Sequence, residues 1–166
     1  MDYTLPNGNR LTHYKNSNGF EYWKEFNTNN NLIHYKDSKG HESWNDFDTN
    51  NKCIHYKNSD GFECWREYDK NTNEIHYKNS KGNEHWREYD TNNNRIHFKS
   101  SNGYEAWHEF DKNNNSIHYK NSKGVESWHH NGVGITKEEF NKIHSPPKIK
   151  TIVLDGITYS LTKIKS

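Results

Sequence analysis

The chain has few of the residues that ordinarily fill a protein interior. Only 28% of its 166 residues are apolar, and the mean hydropathy is −1.42. Taken alone, such a composition marks disorder, but disordered chains are poor in aromatics, and 14% of this one is Phe, Trp or Tyr. Its two cysteines, Cys53 and Cys64, are too few for the framework of a secreted disulfide scaffold and read as free thiols. No stretch approaches the ~18 consecutive apolar residues of a membrane span. The amino terminus shows no basic-then-apolar leader, so a soluble, cytoplasmic chain without membrane contact is expected. A formal charge of +1 removes the long-range field of a dedicated DNA binder. Between residues 11 and 131 no segment sustains a 3.6-residue apolar period, and helix is not expected there.

What the chain does have is a period. Trp23, Trp44, Trp65, Trp86, Trp107 and Trp128 follow one another at the same step, as do the histidines from His13 to His118 and the glycines from Gly19 to Gly124. A fixed period of this size marks a repeat architecture, in which each unit buries its apolar side only against its neighbours. Runs such as Ile75-His76-Tyr77-Lys78 and Glu84-His85-Trp86-Arg87-Glu88-Tyr89 are short, β-branched or aromatic, and bounded by Asn, Ser, Gly and Asp. That is the signature of strands and hairpins. The expected fold is therefore all-β: an antiparallel β-hairpin repeat array, coiled as a meander, spiral or shell. Residues 1–10 form a lead-in half repeat, 11–131 six repeats, and 132–166 a small α+β cap.

Turn chemistry supports this division. Asn58-Ser59-Asp60-Gly61 fits a type I turn whose Gly takes a positive φ in a G1 bulge. Asp90 to Asn93 fits a turn in which Asn tolerates the left-handed region. Because the repeat length is odd, one turn is expected to hold an odd number of residues and the other an even number, or Trp would change faces from copy to copy. Two registers remain open. The favoured one sets Lys15 opposite Glu21 and His13 opposite Trp23, pairing charges worth ~0.2–1 kcal/mol per pair; Ile33, Tyr35 and Phe47 then share the reverse face. The other puts Ile, Tyr and Trp together. In the tail, Thr136 and Glu139 form a capping box with Phe140 and Ile143 behind it, ended by Ser145-Pro146-Pro147. Ile149–Leu154, Asp155-Gly156 and Ile157–Ile164 read as a hairpin with a type I′ turn.

The phrase Gly82 to Arg95, with Trp86-Arg87-Glu88-Tyr89-Asp90, an Asn-rich turn and then Ile96, resembles the tyrosine-aspartate (YD) repeats of the RHS family. The resemblance covers about residues 3 to 131. It departs where the family's turn Gly is Asn, and where His-Tyr-Lys replaces a more variable strand. It implies β-hairpin building material, which the large RHS proteins assemble into a shell around a toxin domain. A weaker similarity to aromatic-Gly cell-wall-binding repeats lacks their Gly-Trp and Tyr-Tyr runs.

Function has to come from the array's surface. Zinc needs ligands ~2 Å from one centre, whereas His13, His34 and His55 recur on strands ~10 Å apart. No functional metal or other cofactor is expected; His129 and His130 lie outside the ladder. Six copies of one His/Glu pair point to structure rather than to a unique catalytic constellation, and no hydrolase, P-loop or zincin motif occurs, so the chain is expected to be no enzyme. The slots that vary between copies supply the candidate partner-binding residues: Phe20, Tyr22, His41, Phe62, His85, Tyr104 and His108. They suit a protein partner, with an inhibitor or immunity-type protein of phage or bacterial origin as the expected role. The alternative is an extended polymer, single-stranded nucleic acid or glycan. It would lie along Trp23, Trp44, Trp65, Trp86, Trp107 and Trp128 with Lys15, Lys36, Lys57, Lys78, Lys99 and Lys120. On that reading Trp and Tyr leave the core to meet ligand, whereas the simpler assignment makes them the core, with each Lys neutralised by its Glu.

Overall fold

The computed structural model describes residues 1–145, 150–154 and 157–161. Strands β1 (Asp2–Thr4), β2 (Arg10–Lys15), β3 (Glu21–Phe26), β4 (Leu32–Asp37), β5 (Glu42–Phe47), β6 (Cys53–Asn58) and β7 (Glu63–Tyr68) lead the chain. They continue as β8 (Glu74–Asn79), β9 (Glu84–Tyr89), β10 (Arg95–Ser100), β11 (Glu105–Phe110), β12 (Ser116–Asn121), β13 (Glu126–His130) and β14 (Val133–Ile135). These form one 14-stranded sheet in sequence order. β1 and β14 are its two edges and do not pair with each other, so the expected antiparallel meander is open rather than closed into a barrel.

The favoured register is the one that forms. His13 pairs with Trp23 and Lys15 with Glu21, and the same pairs recur as His34–Trp44 and Lys36–Glu42 through to His118–Trp128 and Lys120–Glu126. One side of the sheet, the ladder face, therefore carries His, Lys, Glu and Trp. The other, the ring face, carries the tyrosine row and its partners, such as Tyr14–Tyr22, Tyr56–Cys64 and Phe98–Ala106.

The parity expectation is corrected. Both turns of the repeat enclose five residues and both are built alike. In the Asn58 turn, the Gly61 N–H donates to the Asn58 carbonyl and Gly61 sits at φ +80°. In the Asp48 turn, the Asn51 N–H donates to the Asp48 carbonyl and Asn51 sits at φ +61°. The leading side chain holds each loop closed. Asn58 Oδ1 accepts from the Asp60 and Phe62 N–H groups, and Asp48 Oδ1 from Asn50 and Lys52. Two equal odd loops would invert every other hairpin. The inversion is prevented inside the strands by a bulge at each repeat junction. Glu67 pairs with His76 and Tyr68 with Glu74, leaving Ile75 unpaired, and Ile33, Ile54, Ile96 and Ile117 are left over in the same way. One absorbed residue restores the alternation of faces.

Successive hairpins are also stitched along one edge. The Ser80 N–H donates to the Glu63 carbonyl (2.8 Å), while Ser80 Oγ accepts from the Glu63 N–H (3.0 Å). Ser38, Ser59, Ser101 and Ser122 do the same for Glu21, Glu42, Glu84 and Glu105. On the other edge Asn73 Nδ2 donates to Asn93 Oδ1, and Asn94 Nδ2 to Asn114 Oδ1. The Ser and Asn content that makes the chain so hydrophilic is therefore spent on closing loops and joining repeats.

Little is fully buried. Among the described residues only Cys64, Ala106, Asp37 and Asn79 are, and all lie on the ring face. The assignment of Trp to the core is corrected with them: Trp65 and Trp86 are 40% and 39% exposed. After β13 the type of turn changes. Asn131 and Gly132, both at positive φ, join β13 to β14 in a two-residue turn of the I′ kind. Helix α1 (Lys137–His144) follows, with Thr136 and Glu139 in the reciprocal capping box, and it packs against β13. Backbone pairing of Lys150–Leu154 with Ile157–Leu161 forms the expected second hairpin. Pro146, Pro147 and the Asp155-Gly156 turn lie outside the described residues.

Two substitutions check the turn geometry. A Cβ added at Gly61 would meet nothing within 4 Å, so Gly61→Val tests the backbone alone and should destabilise by about 1–2 kcal/mol in a urea titration. Thr72 is the one β-branched residue in the left-handed slot, at φ +66°. Thr72→Asn should raise stability by about 1 kcal/mol, and an unchanged midpoint for both would count against these loops.

Candidate functional site

Two surfaces compete as the functional site, and the register assigns each set of candidate residues to a different one. The stacking candidates, Trp23 to Trp128 and Lys15 to Lys120, all belong to the ladder face. Phe20, Tyr22, His41, Phe62, His85, Tyr104 and His108 all belong to the ring face or to the turn edge that borders it.

On the ladder face every histidine stacks on the tryptophan opposite it. The His76 and Trp86 ring centroids are 5.3 Å apart at 8°, and the other five pairs lie at 5.0–5.5 Å. The other side of the indole is also occupied in several rungs: Lys57 Nζ sits 4.9 Å from the Trp44 ring and Lys120 Nζ 5.2 Å from Trp107. An indole held between an imidazole and an ammonium offers its edge, not its face, to a ligand. That geometry does not suit stacking of bases or sugars.

The glutamates do not serve mainly to neutralise the lysines, as expected from pairing alone. Lys15–Glu21 and Lys36–Glu42 are ion pairs, but in all six rungs Glu hydrogen-bonds His Nε2, at 2.8 Å for His55–Glu63 and 2.9 Å for His76–Glu84. The opposite ring nitrogen meets a carboxylate of the preceding repeat: His55 Nδ1–Asp46 at 2.9 Å, His76 Nδ1–Glu67 at 3.0 Å, His97 Nδ1–Glu88 at 3.1 Å, His118 Nδ1–Glu109 at 3.0 Å. Carboxylates only accept, so both bonds form only when the imidazole is doubly protonated. Asp46 raises the His55 pKa and Glu67 that of His76. For His97, burial pulls downward, but Glu88 and Glu105 outweigh it and the net shift is upward. Among the described residues no group of three His, Cys, Asp or Glu side chains is placed to hold a metal ion, and Cys53 and Cys64 are unbridged. No described helix is long and apolar enough to cross a membrane.

On the ring face, rings join both the strands of a hairpin and successive hairpins. Tyr14 stacks on Tyr22 (5.0 Å) and Tyr22 meets Tyr35 (6.2 Å); Tyr77 stacks on His85 (4.9 Å) and His85 meets Phe98 (5.7 Å). His108 packs on Tyr119 at 4.7 Å, and burial lowers its pKa. Tyr104 shares a hydrogen bond with Tyr119 (2.9 Å), while Phe20 and Phe62 tilt against Tyr22 and Tyr56. His41 is exposed, its Nδ1 2.9 Å from Asp37 Oδ2. Burial opposes ionisation of Asp37, but the bonds from His41 and backbone N–H groups win and hold its pKa down to about 2.

The slot before Trp is not uniformly open: Cys64 and Ala106 are buried in it, whereas Tyr22 and His85 are half-buried. Missed altogether were Arg66, Arg87 and Arg95, also on the ring face. Arg66 and Arg87 both pair with Glu74, which His85 Nε2 approaches at 3.2 Å. For Arg66 and Arg87 the signal was present: the residue after each Trp must face away from it, and there the sequence also places Lys24 and His108.

No protein-family model matches the chain, and no curated protein matches it in sequence. Solved structures match in shape. The crystal structure of TcdB2-TccC3-TEV superposes with a TM-score of 0.54 at 11% identity, over 74% of this chain and 8% of that one. The crystal structure of TcdB2-TccC3-Cdc42 gives 0.54 at 12% identity, over 76% and 8%. The chain thus spans less than a tenth of the length of the proteins it matches. At this identity the likeness is one of fold, a repeating antiparallel hairpin meander shared with a region of TcdB2-TccC3.

The His ladder makes stability depend on pH in a stated direction. Histidines with raised folded pKa values stabilise fully below their ordinary 6.5, and the contribution is lost as pH rises through the raised values. Glu21, Glu42 and Asp37, held low by Lys15, His34 and His41 respectively, stabilise above about pH 4 and lose that contribution in acid. The melting temperature should therefore peak between about pH 4.5 and 6.5, and Glu67→Gln should flatten the fall above it. A melting temperature still climbing from pH 6.5 to 8 would contradict the ladder.

Proposed function

We propose that this chain is a non-enzymatic, protein-binding hairpin array of the YD-repeat kind, and that it docks its partner on the ring face. The observation that carries this is the segregation of residues between the two faces. The slots that vary from repeat to repeat, holding Phe20, Tyr22, His41, Phe62, His85, Tyr104 and His108, collect on the ring face and its border. The ladder face repeats one His-Trp-Glu-Lys rung almost unchanged.

A surface that differs at each hairpin, rich in Tyr, Phe and Arg, has the composition of a protein interface. Around Phe98 and Tyr104 it dips into an open hollow of about 630 Å³, bordered by Ser122 and Lys123. Occluding a larger protein's surface, as an inhibitor or immunity-type factor does, is the form of action such a face supports. The polymer alternative is weaker because a histidine stacks on every indole it needs, and lysines lie over Trp44, Trp107 and Trp128 as well.

A photo-crosslinking residue placed at Tyr104 or His108, and for comparison at Lys99 on the ladder face, tests the assignment in extracts of the native host. Protein adducts should form from positions 104 and 108 and not from 99. Adducts from 99 alone, or a tryptophan fluorescence response to oligosaccharides, would overturn it.

A further inference from the structure

The net charge of +1 conceals a partition across the sheet. Each inner hairpin puts two carboxylates on the ladder face, such as Glu63 and Glu67 on β7, against Lys57 on β6 and one doubly protonated histidine, so the rung is close to balanced. The outer carboxylates are well exposed, Glu67 at 67% and Glu88 at 68%. The ring face is not balanced in this way. Between β3 and β12 its strands carry Lys24, Arg66, Arg87 and Arg95. Against them stand Glu74, already shared by Arg66 and Arg87, and Asp37, buried and committed to its own turn. At its border Lys39, Lys81 and Lys123 lie over the Phe20, Phe62 and Tyr104 rings at 5.6–5.8 Å, against one acid, Asp60, in the equivalent loop position.

Resting on the ring-face reading above, the geometry points to the chemistry of the partner: an acidic protein segment, its carboxylates met by Arg66, Arg87 and Arg95 across the aromatic row. Guanidinium groups pair with carboxylates in a planar, two-pronged fashion. Arg95 and Lys24 are positioned over rings, with Arg95 Cζ 5.3 Å from Phe98 and Lys24 Nζ 4.8 Å from Tyr22. That leaves their polar groups available at the surface, because a cation on a ring face still has its N–H groups to donate. A single-stranded nucleic acid would share the attraction to these charges but also needs free ring faces. Here Tyr14 and Tyr22, and Tyr77 and His85, already cover one another.

The test uses the full chain and three fluorescein-labelled probes of equal length: a Glu-rich 15-residue peptide, a Lys-rich 15-residue peptide and a 15-nucleotide oligothymidine. Fluorescence anisotropy should show the Glu-rich peptide binding most tightly and releasing with added salt. Combined Arg66→Gln, Arg87→Gln and Arg95→Gln should weaken it tenfold or more. Because the first two substitutions strip Glu74 of its partners, a second variant with Arg95→Gln, Lys81→Gln and Lys123→Gln should weaken it comparably with an unchanged melting temperature. Lys57→Gln with Lys78→Gln, on the ladder face, should leave it unaffected. Tighter binding of oligothymidine or of the Lys-rich peptide, salt-sensitive self-association instead of peptide binding, or no response to the Glu-rich peptide overturns the proposal. If the Glu-rich peptide fails while crosslinks from position 104 persist, the acidic partner is wrong and the protein-binding face still stands.

Discussion

A β-strand alternates its side chains every two residues, and a 21-residue unit cannot repeat along a meander unless one residue is taken out of the alternation. Everything else in this array depends on how that residue is absorbed. Both loops are five residues long and use the same closure, an Asx side chain accepting two backbone N–H groups and a left-handed residue at the fourth position. The surplus therefore falls in the strand, at Ile33, Ile54, Ile75, Ile96 and Ile117. With the bulge in place, His, Trp, Glu and Lys return to the same face in every copy. Without it, rungs and rings would exchange sides at each repeat.

Holding the faces apart is what lets a chain with so little apolar content fold as a sheet. Among the described residues only a few small side chains are fully buried. The remaining cohesion is distributed: imidazole on indole within a hairpin, imidazole to carboxylate and serine to backbone between hairpins, and ring on ring across the other face. Each contact is modest, since a hydrogen bond contributes a net ~0.5–1.5 kcal/mol. Their number grows with each repeat, as expected where stability is a sum of units and nearest-neighbour interfaces. The end of the ladder is covered in kind. Lys137 of α1 lies over Trp128 at 5.2 Å, as Lys120 lies over Trp107, and Phe140 packs near His118.

The hairpin array, the His–Trp and Lys–Glu pairing, the opening strand and the Thr136 capping box were all legible in the sequence, because each follows from spacing or from one residue's local chemistry. The bulge was not. Isoleucine in a strand signals nothing unusual, and parity alone required only that the count be corrected somewhere. The function of the glutamates was also hidden, since a Lys directly opposite is the obvious partner until the diagonal reach to His Nε2 is seen. The ring-face arginines were missed for a different reason. Whole-chain charge averages over two faces that differ in their surplus of cations, and the register separates them.

Paired single-residue deletions test the central claim most directly. Removing Ile75 leaves Glu74 opposite Tyr68 and His76 opposite Glu67 in an unbroken ladder, whereas removing Tyr77 inverts the faces beyond it. Measured by circular dichroism and thermal melting, the Ile75 deletion should keep the β-sheet signal with a modest loss of melting temperature, and the Tyr77 deletion should abolish the cooperative transition. Equal damage from the two deletions would contradict the account.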